Sequence, residues 1–204
     1  MTLTHSARKD KAKRLQKFVA KKASELTGLP WGKDCPIESR QMGETGVDVR
    51  LDSEARKLFP FSFECKNQET WSVPGWIDQA KANCYPNTYW ALCLNRNRHS
   101  PIIVMDAEAF FALLAKLGAE SRKLFPFSFE CRNKETWPVF SWIEQAKANC
   151  YPNTYWILGL NRNRHSPVVV MDAEAFFALL AKIAGVGGKG LGYTPKKRMR
   201  RGGA

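Results

Sequence analysis

No apolar run in this chain approaches the roughly 18–20 residues needed to cross a bilayer, so a membrane-spanning helix is not expected. No apolar segment follows the N-terminus, which argues against a secretory signal. The Lys-rich first helix faintly resembles an organellar presequence, but its lysines, in place of arginines, make that the weaker reading. The six cysteines include no C-x-x-C pair, so a zinc site of the usual spacing is not expected. Free thiols packed as small hydrophobes are the default. Residues 184–204 contain no acidic side chain.

That last absence is one end of an uneven charge distribution. Residues 1–30 hold eight Lys/Arg against Asp10 and Glu25, a net +6, and residues 184–204 hold six and no acid, another +6. The whole chain carries +13, which leaves 13 − 12 = +1 for the 153 residues between. Basic ends of this kind suit a polyanion, because each lysine or arginine that neutralises a phosphate releases a counterion. A solvated helix face and a disordered tail account for the same charge, and composition leaves both readings open.

The central region is written twice. Residues 54–117 and 120–183 align without a gap at an offset of 66 and differ at 12 of 64 positions. No linker separates them. Each copy is expected to contain a strand (Pro60–Lys66 in the first), a Trp-containing loop, a helix (Trp76–Cys84), and a strand (Thr88–Leu94). A polar NRNRHSP turn, a strand (Ile102–Met105) and a helix (Ala107–Leu117) follow. Asp106 is a natural N-cap for that last helix, Gly118 a C-terminal stop, and Phe110, Phe111, Leu114 and Leu117 its buried face. Only the first copy has a preamble: an amphipathic basic helix over 8–27 with Leu15, Val19, Ala23 and Leu26 on one stripe, then SRQMGETGVDVRLD, leading into a strand at Val47–Leu51. The expected class is α/β.

Residues two apart in a strand share a face, so Glu64 and Lys66 point together while Cys65 faces the other layer. If the strand of Asp48 pairs with Phe61–Lys66, Asp48 and Glu64 converge, with Lys66 beside them. Two carboxylates, the Cys65 backbone carbonyl and waters suit a hard divalent cation, Mg²⁺ or Mn²⁺. Such an ion polarises a phosphodiester oxygen and lowers the pKa of an attacking water. The lysine is suited to orient that water or to stabilise charge on the phosphate. For Trp71, Trp76, Trp137 and Trp142, packing is the expected role. His99 and His165 sit in a polar turn beside arginines, which reads either as a phosphate-contacting turn or as an ordinary surface hairpin, and Glu44 is read as a loop charge.

GVDV, fifteen intervening residues after Asp48, and then ECK resemble the PD-(D/E)XK nuclease signature of restriction enzymes and Holliday junction resolvases. RLQ at 14–16, SRQMGETGVD at 39–48 and RKLFPFSFECKNQE at 56–69 are similar to a group of small phage-encoded resolvase-type nucleases. WIDQA at 76–80, RNR at 96–98 and DAEAFF at 106–111 fit the same pattern. The resemblance spans residues 8–117 and recurs, without its first part, at 120–183. It implies a restriction-endonuclease-like mixed sheet flanked by helices over 1–117, a β-α-β-β-α half-repeat over 118–183, and a basic tail over 184–204. It implies Asp48 and Glu64 as metal ligands, Lys66 as the catalytic lysine, and Gln16 and Gln79 as auxiliary residues. Gln16 stands where many resolvases have glutamate. Arg40 is the implied phosphate contact. Lys13, Arg14 and Lys17 on the first helix, Arg132, and Lys196, Lys197 and Arg198 in the tail are further candidates for DNA contact. The implied partners are DNA, branched DNA among its forms, and a second copy of the chain. The implied setting is the cytoplasm, that of a host cell if the chain is phage-encoded.

In the second copy FSFECKN becomes FSFECRN, with Glu130 and Arg132; the residue 66 after Asp48 is Leu114, still within the first copy, so the second has no equivalent of that aspartate. Arginine does not give up its proton in the useful range. This copy is expected to lack chemistry of its own, and either to mimic part of a second subunit or to cover a sheet edge. Residues 1–53 are able in principle to complete either copy; the retained lysine and the short connection favour the first. A catalytically inactive DNA-binding protein, and an oligomerisation module, are the rival readings.

Overall fold

The computed structural model describes residues 5–40, 44–117 and 126–186, and the side chains of these from residue 10 onward. Gly118 and the tail residues Lys196, Lys197 and Arg198 lie outside the described residues. Helix α1 (His5–Thr27) buries the stripe Leu15, Val19, Ala23 and Leu26. It stops at Gly28, whose φ of +73° suits a residue without Cβ. Strands β1 (Ile37–Ser39) and β2 (Val49–Leu51) and the short helix α2 (Ser53–Leu58) follow. Strand β1 and helix α2 are absent from the sequence reading. The cue for α2 is Asp52, whose side chain accepts a hydrogen bond from the Ala55 N–H.

The repeated segments then form the same order of elements. The first gives β3 (Phe61–Asn67), α3 (Val73–Ala82), β4 (Tyr89–Asn95), β5 (Ile102–Asp106) and α4 (Ala107–Ala115). The second gives β6 (Phe127–Asn133), α5 (Val139–Asn149), β7 (Tyr155–Asn161), β8 (Val168–Asp172) and α6 (Ala173–Ile183). Asp106 and Asp172 each cap their helix by accepting from two backbone N–H groups. Among the described residues, no helix is long and apolar enough to cross a membrane.

Among the described residues, the eight strands form one mixed sheet in the order β1-β2-β3-β4-β5-β8-β7-β6. Pairs β3–β4 and β6–β7 are parallel and the rest antiparallel. The central strands are apolar on both faces because both faces are covered. Helices α1, α4 and α6 lie over one layer of buried side chains, with Phe61, Phe63 and Cys65 of β3 in it. Helices α3 and α5 cover the other, which holds Leu92, Leu94, Val104, Leu158 and Val170. Trp71, Trp76, Trp137 and Trp142 pack half-buried against this second layer.

The two copies meet where β5 pairs with β8, and the register there is symmetric. Ile102 lies opposite Asp172, Asp106 opposite Val168, and Val104 opposite Val170, its own counterpart in the repeat. A local two-fold axis therefore passes through the Val104–Val170 pair. Its effect extends to the helices, which exchange halves. The α4 rings pack on copy two, Phe110 on Phe127 at 5.9 Å and Phe111 on Phe129 at 6.2 Å. The α6 rings make the equivalent contacts on copy one, Phe176 on Phe61 at 5.5 Å and Phe177 on Phe63 at 6.1 Å. The first helical N–H groups cross as well: Ala107 donates to the Pro167 carbonyl and Ala173 to that of Pro101, both at 3.0 Å. The boundary drawn at residue 117 thus divides the repeat but not the core.

One expectation of burial needs correction. Phe110 and Leu117 are buried, but Phe111 is 51 % exposed, and Leu113 is buried where Leu114 is only partly so. Phe177, the counterpart of Phe111, is fully buried because α1 covers it, with Phe18 edge-on at 5.8 Å. Nothing among the described residues covers Phe111 in that way.

Candidate active site

Asp48 stands just before β2, and its backbone N–H donates to the Phe63 carbonyl at 2.9 Å. The antiparallel pairing of Val49 with Phe63 brings its side chain over the gap between β2 and β3. There the Asp48 carboxylate accepts two hydrogen bonds, from Gln16 Nε2 at 2.8 Å and from the Cys65 N–H at 2.7 Å. Within an extended strand, the N–H and C=O of one residue point to the same side. The Cys65 carbonyl therefore turns toward that gap too. Its thiol lies in the buried layer, where burial and neighbouring Cys93 push its pKa well up, so the sulfur stays a neutral packing group. Gly46 closes the preceding turn at φ +101°, and a Cβ there would lie 3.1 Å from Arg40 Nη1.

Glu64, only 3 % exposed, is the second carboxylate. Its Oε1 accepts from Lys66 Nζ at 2.7 Å and its Oε2 from Asn83 Nδ2 at 3.2 Å. Lys66 Nζ also donates to Gln79 Oε1 at 2.9 Å. Gln79 and Asn83 are one helical turn apart at the end of α3, so a single helix face holds both Glu64 and Lys66 in place. Asn83 donates to the Gly46 carbonyl as well, at 3.3 Å. It is absent from the sequence reading, although its spacing of four from Gln79 was the available signal.

Burial first, and the Glu64 charge second, raise the pKa of Asp48 from 3.8 to about 6, against the lowering effects of the Cys65 N–H, Lys66 and Gln16. Two carboxylates that repel each other in a half-buried site form a natural cation seat. Gln16 adds to this: it is 3 % exposed, and its Oε1 is a buried acceptor with no hydrogen-bond partner. Among the described residues, no three His, Cys, Asp or Glu side chains cluster as a metal set. The donors are thus all oxygen: two carboxylates, a backbone carbonyl and an amide. This set fits Mg²⁺ or Mn²⁺, which is commonly held by one or two carboxylates with waters completing the shell.

The basic candidates divide. Arg14 and Lys17 are exposed on α1, three residues apart on one face. Lys13 instead points inward and donates to the Ser39 and Arg40 carbonyls, each at 2.8 Å. Arg40 is likewise engaged, donating to the Thr45 carbonyl and, at 3.1 Å, to the Tyr85 hydroxyl. Both pin the turn that carries Asp48. Glu44, His99 and His165 are exposed, and His99 rests edge-on against Phe140 at 4.6 Å.

The corresponding place in copy two holds fewer groups. Asn149 donates to Glu130 at 3.3 Å, as Asn83 does to Glu64. Arg132 is folded back on Glu130 at 2.5 Å and on the Cys131 carbonyl at 3.1 Å. Among the described residues, β6 pairs only with β7. Asp48 thus meets Glu64 and not Glu130, which lies five strand spacings, roughly 24 Å, across the sheet. No protein-family model, curated protein or solved structure matches this chain.

Proposed function

We propose that the chain is a metal-dependent DNA endonuclease with a restriction-endonuclease-like core, acting on branched DNA. The observation that carries this reading is the convergence of Asp48, Glu64 and the Cys65 carbonyl on one gap, with Lys66 held at its edge by Glu64 and Gln79. Asp48, Glu64 and the Cys65 carbonyl would hold Mg²⁺ or Mn²⁺, with Gln16 Oε1 as acceptor for a water of its shell. The ion, when bound, supplies Lewis acidity toward a phosphodiester oxygen and a more acidic water.

The chain's own residues do the rest. Gln16 and the Cys65 N–H fix both oxygens of Asp48, so its orientation is set before any ligand arrives. Asn83 fixes one oxygen of Glu64. Lys66, held by two acceptors, places an ammonium where negative charge accumulates on a phosphate under attack. The exposed Arg14 and Lys17 are suited to backbone phosphates and carry no sequence information.

The test is cleavage of supercoiled plasmid and of a four-way junction with Mg²⁺ or Mn²⁺. Asp48→Ala, Glu64→Ala and Lys66→Ala should each abolish cleavage while DNA binding, read by gel shift, persists. A variant that cleaves at the wild-type rate refutes the assigned site. DNA binding by the wild type without cleavage under any metal favours an inactive DNA-binding protein instead.

A further inference from the structure

Resting on the nuclease reading, we propose that this chain is a fused two-fold pair with one working half, and that it makes a single-strand nick rather than paired incisions. The symmetry comes from the register. Val104 faces its own counterpart Val170, and each neighbouring pair is related by exchange of the copies. Two separate chains joined edge to edge by β5 about a two-fold axis would pair in this way. The exchanged helices and the crossed Ala107–Pro167 and Ala173–Pro101 bonds obey the same axis. Both copies present Glu64 or Glu130 on the layer that α3 and α5 cover, since their cross-strand neighbours Leu92 and Leu158 lie there. The axis therefore runs through the sheet, and the two acid positions lie on one side of it, roughly 24 Å apart across the strands. That is the layout of an enzyme that addresses two strands of one substrate.

Only one position is equipped to cut. Asp48, Gln16 and strand β2 belong to residues 1–53, which occur once. The position 66 after Asp48 is Leu114, in the last helix of copy one, so copy two has no counterpart of Asp48; its Arg132 pairs with Glu130. A lone carboxylate beside a guanidinium does not compete with water for a divalent cation. A symmetric substrate bound across both copies is then hydrolysed at one phosphodiester: water adds to phosphorus, the P–O bond to the leaving sugar oxygen breaks, and that oxygen takes up a proton.

The experiment uses the full chain, limiting in amount, on a supercoiled plasmid carrying an extruded inverted repeat. One nick releases the supercoiling and reabsorbs the cruciform, so the expected product is open circle with almost no linear DNA. In parallel, Mn²⁺ titration followed by electron paramagnetic resonance should count one site per chain, lost in Asp48→Ala and retained in Glu130→Gln. Linear DNA as the primary product, or two Mn²⁺ sites per chain, overturns the single-cut inference and leaves the nuclease reading intact. No cleavage of any DNA overturns the nuclease reading and this inference with it.

Discussion

Phe63 and Phe129 are the same residue of the same repeated heptapeptide, yet Phe63 is 1 % exposed and Phe129 50 %. The helices that pack on them differ in the same sense: Phe177 is buried and Phe111 is not. The local sequence, strand and ring stacking are shared. The covering differs, because α1 exists once and lies over copy one. Burial here is conferred by a partner element and is not a property of the strand that carries the ring. The same applies to chemistry, since Glu64 and Glu130 sit in like strands but only Glu64 receives Asp48.

The sharpest way to break this comparison is to move the lysine. Combining Lys66→Ala with Arg132→Lys should leave nicking undetectable, because the lysine then stands in a half without Asp48. Restored activity in a plasmid assay would mean that residues 1–53 complete copy two. Next in size is the packing contrast. Phe63→Ala should cost about 3–5 kcal/mol in urea unfolding, the usual cost of truncating a buried ring, whereas Phe129→Ala should cost well under half of that. Equal losses would show that the exposed face is covered in solution.

A smaller effect concerns the acid itself. The folded-state pKa of Asp48 is raised, so folding disfavours its ionised form. The penalty is absent below the unfolded value of 3.8 and grows as pH rises to about 6. Asp48→Asn should therefore stabilise the protein in chelator at pH 7–8, by at most roughly 3 kcal/mol, and have no such effect at pH 4. Thermal melts at both pH values measure the difference. Cation binding should weaken in the opposite direction, as pH falls through 6. The smallest change is expected from deleting residues 187–204: lower DNA affinity and a flatter salt dependence, with cleavage kept at low salt. The cut belongs after Val186, because the Gly185 and Val186 N–H groups bond to the carbonyls of Lys182 and Ala181 and close α6.

How much of this was legible beforehand follows the range of the interactions. The Asp106 cap, the alternation in FSFECKN and the spacing from Asp48 to Glu64 are local or two-strand features, and periodicity exposes them. The inward turn of Lys13 and Arg40 depends on carbonyls brought from another segment, and a lysine that pins a loop reads like one that binds phosphate. Strand β1, three residues long, carries no periodic signal. The exchange of α4 and α6 was invisible, because Phe110 and Phe176 lie in identical stretches and pattern does not say which sheet half each one covers.

That exchange has a consequence for how the chain is made. The rings over β3 come from α6, which ends at Ile183. A nascent chain that has delivered the whole of copy one still lacks the helix that closes it, so closure of copy one must wait until synthesis has passed Ile183. Contacts of such sequence separation form slowly. On a polysome, the waiting copy one of one chain and the finished α6 of a neighbour are matching parts. Slow dilution during refolding should yield monomer, and rapid refolding at high concentration should trap entangled pairs.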